Sequence, residues 1–384
     1  MDILDAATHA DPYPYYASLR ARGGLTEHPE AGVWAASSAE AVSLVLSHPA
    51  CRVRPVDQPV PAALGNGLTA RLFGRLMRMN DGPPHRCPRR VFQPALAWDP
   101  AYLVEAWADD FLAGLPLPAS AEAIERWMFE FPVAAMGRLL GFEASQGSPL
   151  ATLTRTFVAC LSPRSDAGQL RAAEEAAGNL QRLMGARLGD DAGRSPLLRR
   201  LHRDAEDVLD EEGVLANLIG LLAQTCEATA GLIGNAVVAL AREPGLQAEI
   251  AGEPEHVDAL IAEVLRFDPP VQNTRRFLAT PLAFQGVHLP EGATVLVLLA
   301  SANRDPALNA SPDRFLLDRP DRQGFGFGAD RHRCPGQTLA LAIARAVLTR
   351  LIPDLDIAAL LVGRWCYRPS LNGRMPAFLG RAHP

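Results

Sequence analysis

The chain contains no lysine; all 37 of its basic residues are arginine. That absence excludes a Walker-type phosphate loop and a pyridoxal Schiff base, both of which need a lysine amine. There is no Cys-x-x-Cys pair either. The six cysteines, Cys51, Cys87, Cys160, Cys226, Cys334 and Cys366, are scattered without the spacing of zinc ligands. A disulfide framework does not suit a chain of 384 residues. An excess of positive charge is also missing: the net charge of −6 argues against a nucleic-acid-binding face. No long apolar run is free of polar residues. The best candidate, 217–241, carries Gln224, Thr225, Glu227, Thr229 and Asn235. A carboxylate at the centre of a bilayer would cost ~2.5–3.5 kcal/mol, so a buried helix of a soluble protein is the better reading. The N-terminus opens with Asp2, Asp5 and Asp11 in place of a basic patch and an apolar stretch, which predicts no signal peptide and a cytoplasmic location.

With 48% hydrophobic and 21% charged residues, the chain can bury a large core and is not expected to be disordered. Its length suits two or three ordinary domains, or one large helical domain. A proline-punctuated amphipathic helix opens the chain (DPYPYYASLRARGG), followed by a strand over Val33–Ala36 and a helix from Ser38 to Ser47. Residues 55–84 are rich in proline and glycine and read as a long irregular segment, a kind that is usually functional. Helical patterns follow near 101–114, 120–141, 148–161 and 168–188, with a polar turn at 189–195. Glu211–Ala241 would form a helix ~45 Å long. Strands are expected from Gln272–Arg276 onward and at Thr294–Leu299, with strand and turn after Leu351 and a hairpin turn at Asn372-Gly373. The predicted class is mainly α with a small β-rich lobe.

One stretch organises the rest: Gly324–Gly336, GFGFGADRHRCPG, with an apolar helix-like run directly after it. Gly324, Gly326 and Gly328 would let the backbone lie flat against a bulky planar partner. Cys334 stands before a helix N-terminus with Arg322, Arg331 and Arg333 nearby, which would favour thiolate over thiol. A thiolate on such a loop suits the axial position of an iron porphyrin. The run Phe327-Gly328-x-Asp330-x-His332-x-Cys334-x-Gly336 resembles the haem-binding loop of the cytochromes P450, with Asp330 where many members have glycine.

Four companions follow in the family's order, and the resemblance spans residues 11 to about 378. His85 and Arg89, after Asp81-Gly-Pro, are four apart and so share a helix face. By themselves they could be a solvated basic helix end; the resemblance makes them propionate partners. The central helix has Gln224-Thr225-Cys226-Glu227-Ala228-Thr229 where the family has an acid followed by two threonines. Glu227 and Thr229 are kept, while Ala228 replaces the threonine that handles protons. Glu263 and Arg266, with Arg319 in PDRFLLDR, resemble a buried Glu-Arg-Arg cluster. Arg276, ten residues before Gly286, corresponds to a further propionate partner.

The resemblance implies a single P450 domain over 1–384 that binds haem b (iron protoporphyrin IX). Cys334 would ligate the iron. His85, Arg89, Arg276 and His332 would anchor the propionates, with Phe327 and Gly336 shaping the loop. Glu227, Thr225, Ala228 and Thr229 would form the distal site. The implied reaction inserts one oxygen atom from O2 into a small organic substrate, of secondary metabolism by expectation, with electrons from a ferredoxin-type partner. A monomer is expected, with no membrane or nucleic-acid partner. Two alternatives stay open: altered chemistry on the same scaffold (peroxide-driven, nitrating or coupling), and a haem-thiolate sensor without turnover.

Overall fold

The computed structural model describes residues 1–97, 101–113, 121–162, 164–190, 194–243, 245–253, 255–354 and 365–379. The chain opens with α1 (Tyr13–Arg20), β1 (Leu25–His28), β2 (Val33–Ala36), α2 (Ala39–Ser47) and β3 (Cys51–Arg52). A helical body follows: α3 (Leu68–Arg75), α4 (Pro83–Ala97), α5 (Ala101–Ala113), α6 (Ala121–Leu139), α7 (Gly147–Val158), α8 (Ala167–Gly189) and α9 (Pro196–Ala205). Next come α10 (Glu211–Arg242), α11 (Leu246–Gly252) and α12 (His256–Phe267). The remainder is β4 (Thr274–Leu278), β5 (Leu282–Phe284), β6 (Val287–Leu289), β7 (Thr294–Val297), α13 (Leu299–Asn303), α14 (Gln337–Asp354), β8 (Trp365–Tyr367) and β9 (Pro376–Phe378).

The helix α10 is the axis of the helical body. Asp210 caps it by accepting from the Gly213 amide at 2.9 Å, and Glu211 and Glu212 add negative charge where the helix dipole is positive. Its apolar surface is nearly continuous, so it can be covered on all sides, and α6, α7, α8, α12 and α14 pack against it. No helix among the described residues is long and apolar enough to cross a membrane. The β-rich lobe is a five-stranded sheet in the order β1-β2-β7-β4-β3, with β2 and β7 parallel and the other pairs antiparallel. Its apolar faces are covered by α2 on one side and by the N-terminal segment with Tyr13, Tyr16 and Leu19 on the other.

One expectation needs correction and one is refined. The irregular segment 55–84 contains a helix, α3, and a 3-10 turn at Met77–Met79; LTARLFGR has the helical periodicity, and the surrounding prolines and glycines obscured it. Asn372-Gly373 does lie in the connection of the β8–β9 hairpin, but that connection is longer than a tight two-residue turn and Gly373 has no positive φ. That connection also pairs with the chain before β4, through Gln272 N–H donating to Asn372 C=O at 2.8 Å. The expected turn at 189–195 lies partly outside the described residues (191–193), as do the helix ends at 114 and 120 and the stretch 355–364 of the tail.

Candidate active site

The loop before α14 is tied on both sides. Phe325 N–H donates to Asn303 Oδ1 at 2.6 Å, and Asn303 Nδ2 donates to Leu265 C=O at 3.0 Å. The Cys334 amide donates to Phe327 C=O at 2.9 Å, closing the loop over itself. Gly328 takes a positive φ of 69°, as a glycine should. Gly324 and Gly326 have another reason to be glycine. A Cβ on Gly324 would meet Asn303 Oδ1 at 3.0 Å, and one on Gly326 would meet Leu265 C=O at 3.1 Å. These two serve close approach to the protein itself. Asp330 has a φ of 54°, a left-handed conformation that aspartate tolerates and glycine prefers. Asp330→Gly is therefore expected to leave stability unchanged or raise it, while Asp330→Val lowers it by ~1–2 kcal/mol, measured by denaturant unfolding of the holoprotein.

The arginines around Cys334 are not arranged as the sequence suggested. Arg322 is turned to Glu263, with Nε 2.9 Å from Oε2. Arg331 donates to the carbonyls of Ser47, His48 and Cys51, each at 2.9 Å, and Arg333 is exposed and reaches Gln337. The cation that acts on Cys334 is Arg89 of α4. Burial pushes the Cys334 thiol up, and the Gly336 amide and Arg89 pull it back only in part. The protein alone thus holds a thiol here, and a bound metal would supply the force that deprotonates it.

Four nitrogen-bearing side chains gather beside the loop. The rings of His85 and His332 lie 4.2 Å apart between centroids. His332 Nε2 is 3.2 Å from Asp81 Oδ1, and Asp81 Oδ2 accepts from the Val53 amide at 2.9 Å. Burial, His332 and Arg89 together push His85 down to about 4. Arg276 is 4% exposed, and its pKa is pushed down to about 10, chiefly by burial. Its Nε is buried without a partner, while its Nη1 reaches only Thr274 and the Arg275 carbonyl. Asp81 is the one carboxylate whose charge acts on His85, Arg276 and His332 alike. A group with two carboxylates fits this surplus of donors, and haem b is such a group.

Open space inside the molecule is visible in which residues escape burial. From Gly213 to Val238, α10 is buried at every position except Gln224, Thr225, Glu227 and Ala228. At 100° per residue these four fall within one arc of about 160°; Cys226 lies opposite its centre, and Thr229 lies just past the Thr225 edge, where it is buried. None of the residues from Gly324 to Thr338 is buried either. Yet burial raises the pKa of both Glu227 and Cys334, so protein surrounds the space that they border. Among the predicted distal residues, Glu227, Thr225 and Ala228 reach this chamber and Thr229 does not. Thr225 Oγ1 already donates to Leu221 C=O at 2.8 Å.

Sequence reasoning missed Asp81, Arg78 and Asn217 as site residues. Asn217 Oδ1 accepts from the Met77 amide at 2.9 Å and its Nδ2 donates to Arg75 C=O at 3.0 Å, fastening the Met77–Met79 turn to α10. The position of Asp81 just before the His85/Arg89 helix was the signal available for it. Gln272 and Asn273, polar and close to Arg276, do not line the chamber. They are buried, with side chains donating to the carbonyls of Pro269 and Leu371.

The Cytochrome P450 family model matches residues 194–359. A Vitamin D(3) 25-hydroxylase from Pseudonocardia autotrophica is 31% identical over 410 aligned positions, covering 99% of this chain and 96% of its own. The cytochrome P450 monooxygenase PikC of Streptomyces venezuelae is 29% identical, over 91% of this chain and 85% of its own. Among solved structures, CalO2 aligns with a TM-score of 0.87 at 25% identity, covering 99% of this chain and 98% of the other. The chain belongs to the cytochrome P450 family. It is accordingly a haem b oxidoreductase of the monooxygenase class, on a helix-rich fold with a small β region.

Proposed function

We propose that residues 1–384 form one catalytic domain in which Cys334 ligates haem iron and His85, Arg89, Arg276 and His332 hold the propionates. The observation that carries this reading is the unpartnered Arg276 Nε, with His85 and His332 sharing one carboxylate, Asp81, with it and Arg89 directed to Cys334. Bound haem supplies reductive activation of O2. The overall reaction we assign inserts one oxygen atom into a small organic substrate of secondary metabolism, using electrons from a ferredoxin-type partner. PikC and the other monooxygenase relatives support that class.

The chain's own part is to place and protonate. Burial raises the Glu227 pKa, with Arg78 and Arg155 opposing, so this carboxyl holds a proton at higher pH than an exposed one. Ala228, on the same arc, offers no hydroxyl to order a water. Thr225 has its proton engaged by Leu221, leaving its lone pairs free to accept from a water that Glu227 also touches. Glu227 and Thr225 are thus the proton-delivery pair in our reading, in the role that the threonine at 228 would otherwise fill.

The test is the ratio of product formed to reductant consumed, with a surrogate ferredoxin and its reductase. Glu227→Gln is expected to slow product formation by about 100-fold, and Thr225→Val less, both with peroxide released in place of product. If both variants keep the wild-type ratio, protons arrive by another route. The missing hydroxyl at Ala228 also supports the peroxide-driven reading, because hydrogen peroxide brings its own protons. Full product formation from peroxide alone, without reductant, would favour it.

A further inference from the structure

Arg78 is a residue of the distal region to which the proposed reaction gives no task. It sits in the 3-10 turn Met77–Met79, which is held rigidly. Asn217 fastens that turn to α10, and Asn80 Nδ2 ties its end back to the carbonyls of Gly74 and Leu76 at 2.9 and 2.8 Å. Met77 is buried beneath it. The turn therefore presents Arg78 in a fixed direction.

Among the described residues its guanidinium has no hydrogen-bond or ion-pair partner, and its Nε is buried. Burial lowers its pKa, and the groups whose charges act on it are Glu227 and Cys160. Glu227 belongs to the chamber-facing arc of α10, and the turn packs along that helix, with Leu76 against Gly220 and Met77 tied to Asn217, which puts Arg78 beside the same space. It is distinct from the propionate set, in which Arg89 answers to Cys334, and Arg276 and His332 answer to Asp81. Burying a cation without a counter-charge is costly, and the chain has kept one in a chamber where catalysis needs a substrate. A guanidinium offers a planar fork that matches a carboxylate in two parallel hydrogen bonds.

We propose that the substrate is an organic acid whose carboxylate is bound by Arg78 inside the chamber, which makes Arg78 the specificity-determining residue of the reaction. This rests on the haem-thiolate reading given above. The Arg78 contact fixes one end of the substrate, and the uncharged part extends past Glu227 and Ala228 toward the reacting site. The Glu227 carboxyl, which borders the same space, disfavours a second acid group there, so a monocarboxylate fits better than a diacid.

The test uses haem-loaded protein whose reduced carbon-monoxide band has been verified, so that failure of the haem-thiolate reading shows up separately and first. Saturated acids from octanoic to hexadecanoic and a set of aryl-alkanoic acids are titrated beside their methyl esters, following the haem spectral shift and, independently, equilibrium dialysis. At least one acid is expected to bind about 10- to 100-fold more tightly than its ester. Arg78→Gln should erase that preference, with Arg78→Met as the uncharged substitute if the glutamine variant does not retain haem. Arg78→Lys should keep much of it. The proposal is overturned if no acid is preferred over its ester by the wild type, or if the preference survives in both uncharged variants.

Discussion

Cys334→Ala is expected to abolish the absorption near ~450 nm of the reduced carbon-monoxide complex, the mark of thiolate-ligated haem. The other five cysteines give the comparison its force. Burial pushes Cys51 up to about 11, against Arg276 and Arg331, and pushes Cys160 and Cys226 up to about 12, with Glu174 and Glu227 acting in the same direction. Cys87 is half-buried on α4, and Cys366 is exposed on β8. None of these stands on a loop that borders the chamber, so alanine at each should leave the band in place. Cys334 differs in having the Gly336 amide and Arg89 directed to its sulfur, next to the four propionate-type donors. A Cys334→Ala protein that still shows the thiolate band would remove the basis of the whole site.

Legibility differed between parts of the site for physical reasons. The cysteine loop could be read because its constraints are local: a glycine with positive φ, an aspartate that tolerates one, and a cysteine a few residues before a helix are all written in consecutive letters. Glu263 with Arg266 could be read because i, i+3 spacing on a helix puts both on one face. The fold class followed from helical periodicity, and α10 matched its expected bounds to within one residue because its apolar run and its Asp210 cap are both explicit. What could not be read is where long side chains turn. Arg322, Arg331 and Arg333 are near Cys334 in sequence, yet each spends its donors elsewhere, whereas Arg89 comes from a different helix. Gln272 and Asn273 are polar and close in sequence to Arg276, and only the fold shows that backbone carbonyls of Pro269 and Leu371 already satisfy them. Arg78 was hidden for the opposite reason, since nothing in its neighbours says that its guanidinium has no acceptor.

A related hub ties the chain's two ends to the site's support. Arg374 Nε lies 2.6 Å from Asp268 Oδ1, directly after α12, and its other nitrogens donate to the carbonyls of Ala7, His9 and Ala10. Tyr13 and Tyr367 donate to the same carboxylate. Arg304 lies between the rings of Tyr13 and Phe267, 3.3 and 3.5 Å from their centroids. An all-arginine protein can build such centres because a guanidinium serves several acceptors in one plane and stacks on rings, which an ammonium does poorly. The same property explains how Arg266, Arg319 and Arg322 converge on one glutamate.

Replacing that glutamate is expected to have the largest effect on stability. Glu263 is fully buried, with Oε1 2.7 Å from Arg266 and 3.1 Å from Arg319, and Oε2 2.9 Å from Arg322. It also accepts from the Leu316 amide at 3.1 Å, so it organises the segment leading to the cysteine loop. Burial alone would raise its pKa, but the Arg266 hydrogen bond and charge, with the other donors, outweigh burial and lower it. A lowered folded-state pKa means that this stabilisation is present above the unfolded pKa and is lost as pH falls through the folded value. Glu263→Ala leaves two nearly fully buried guanidinium groups and one half-buried one without their counter-charge. A loss of ~3–5 kcal/mol is expected, with much of the protein failing to retain haem. Arg266→Ala should cost nearly as much, since it strands Glu263. Arg322→Ala should cost least, because its side chain is 19% exposed and two arginines would still hold the carboxylate. Guanidinium-chloride unfolding of the holoproteins, followed by tryptophan fluorescence, measures this order. Equal midpoints for Glu263→Ala and wild type would show that the cluster is not what supports the loop.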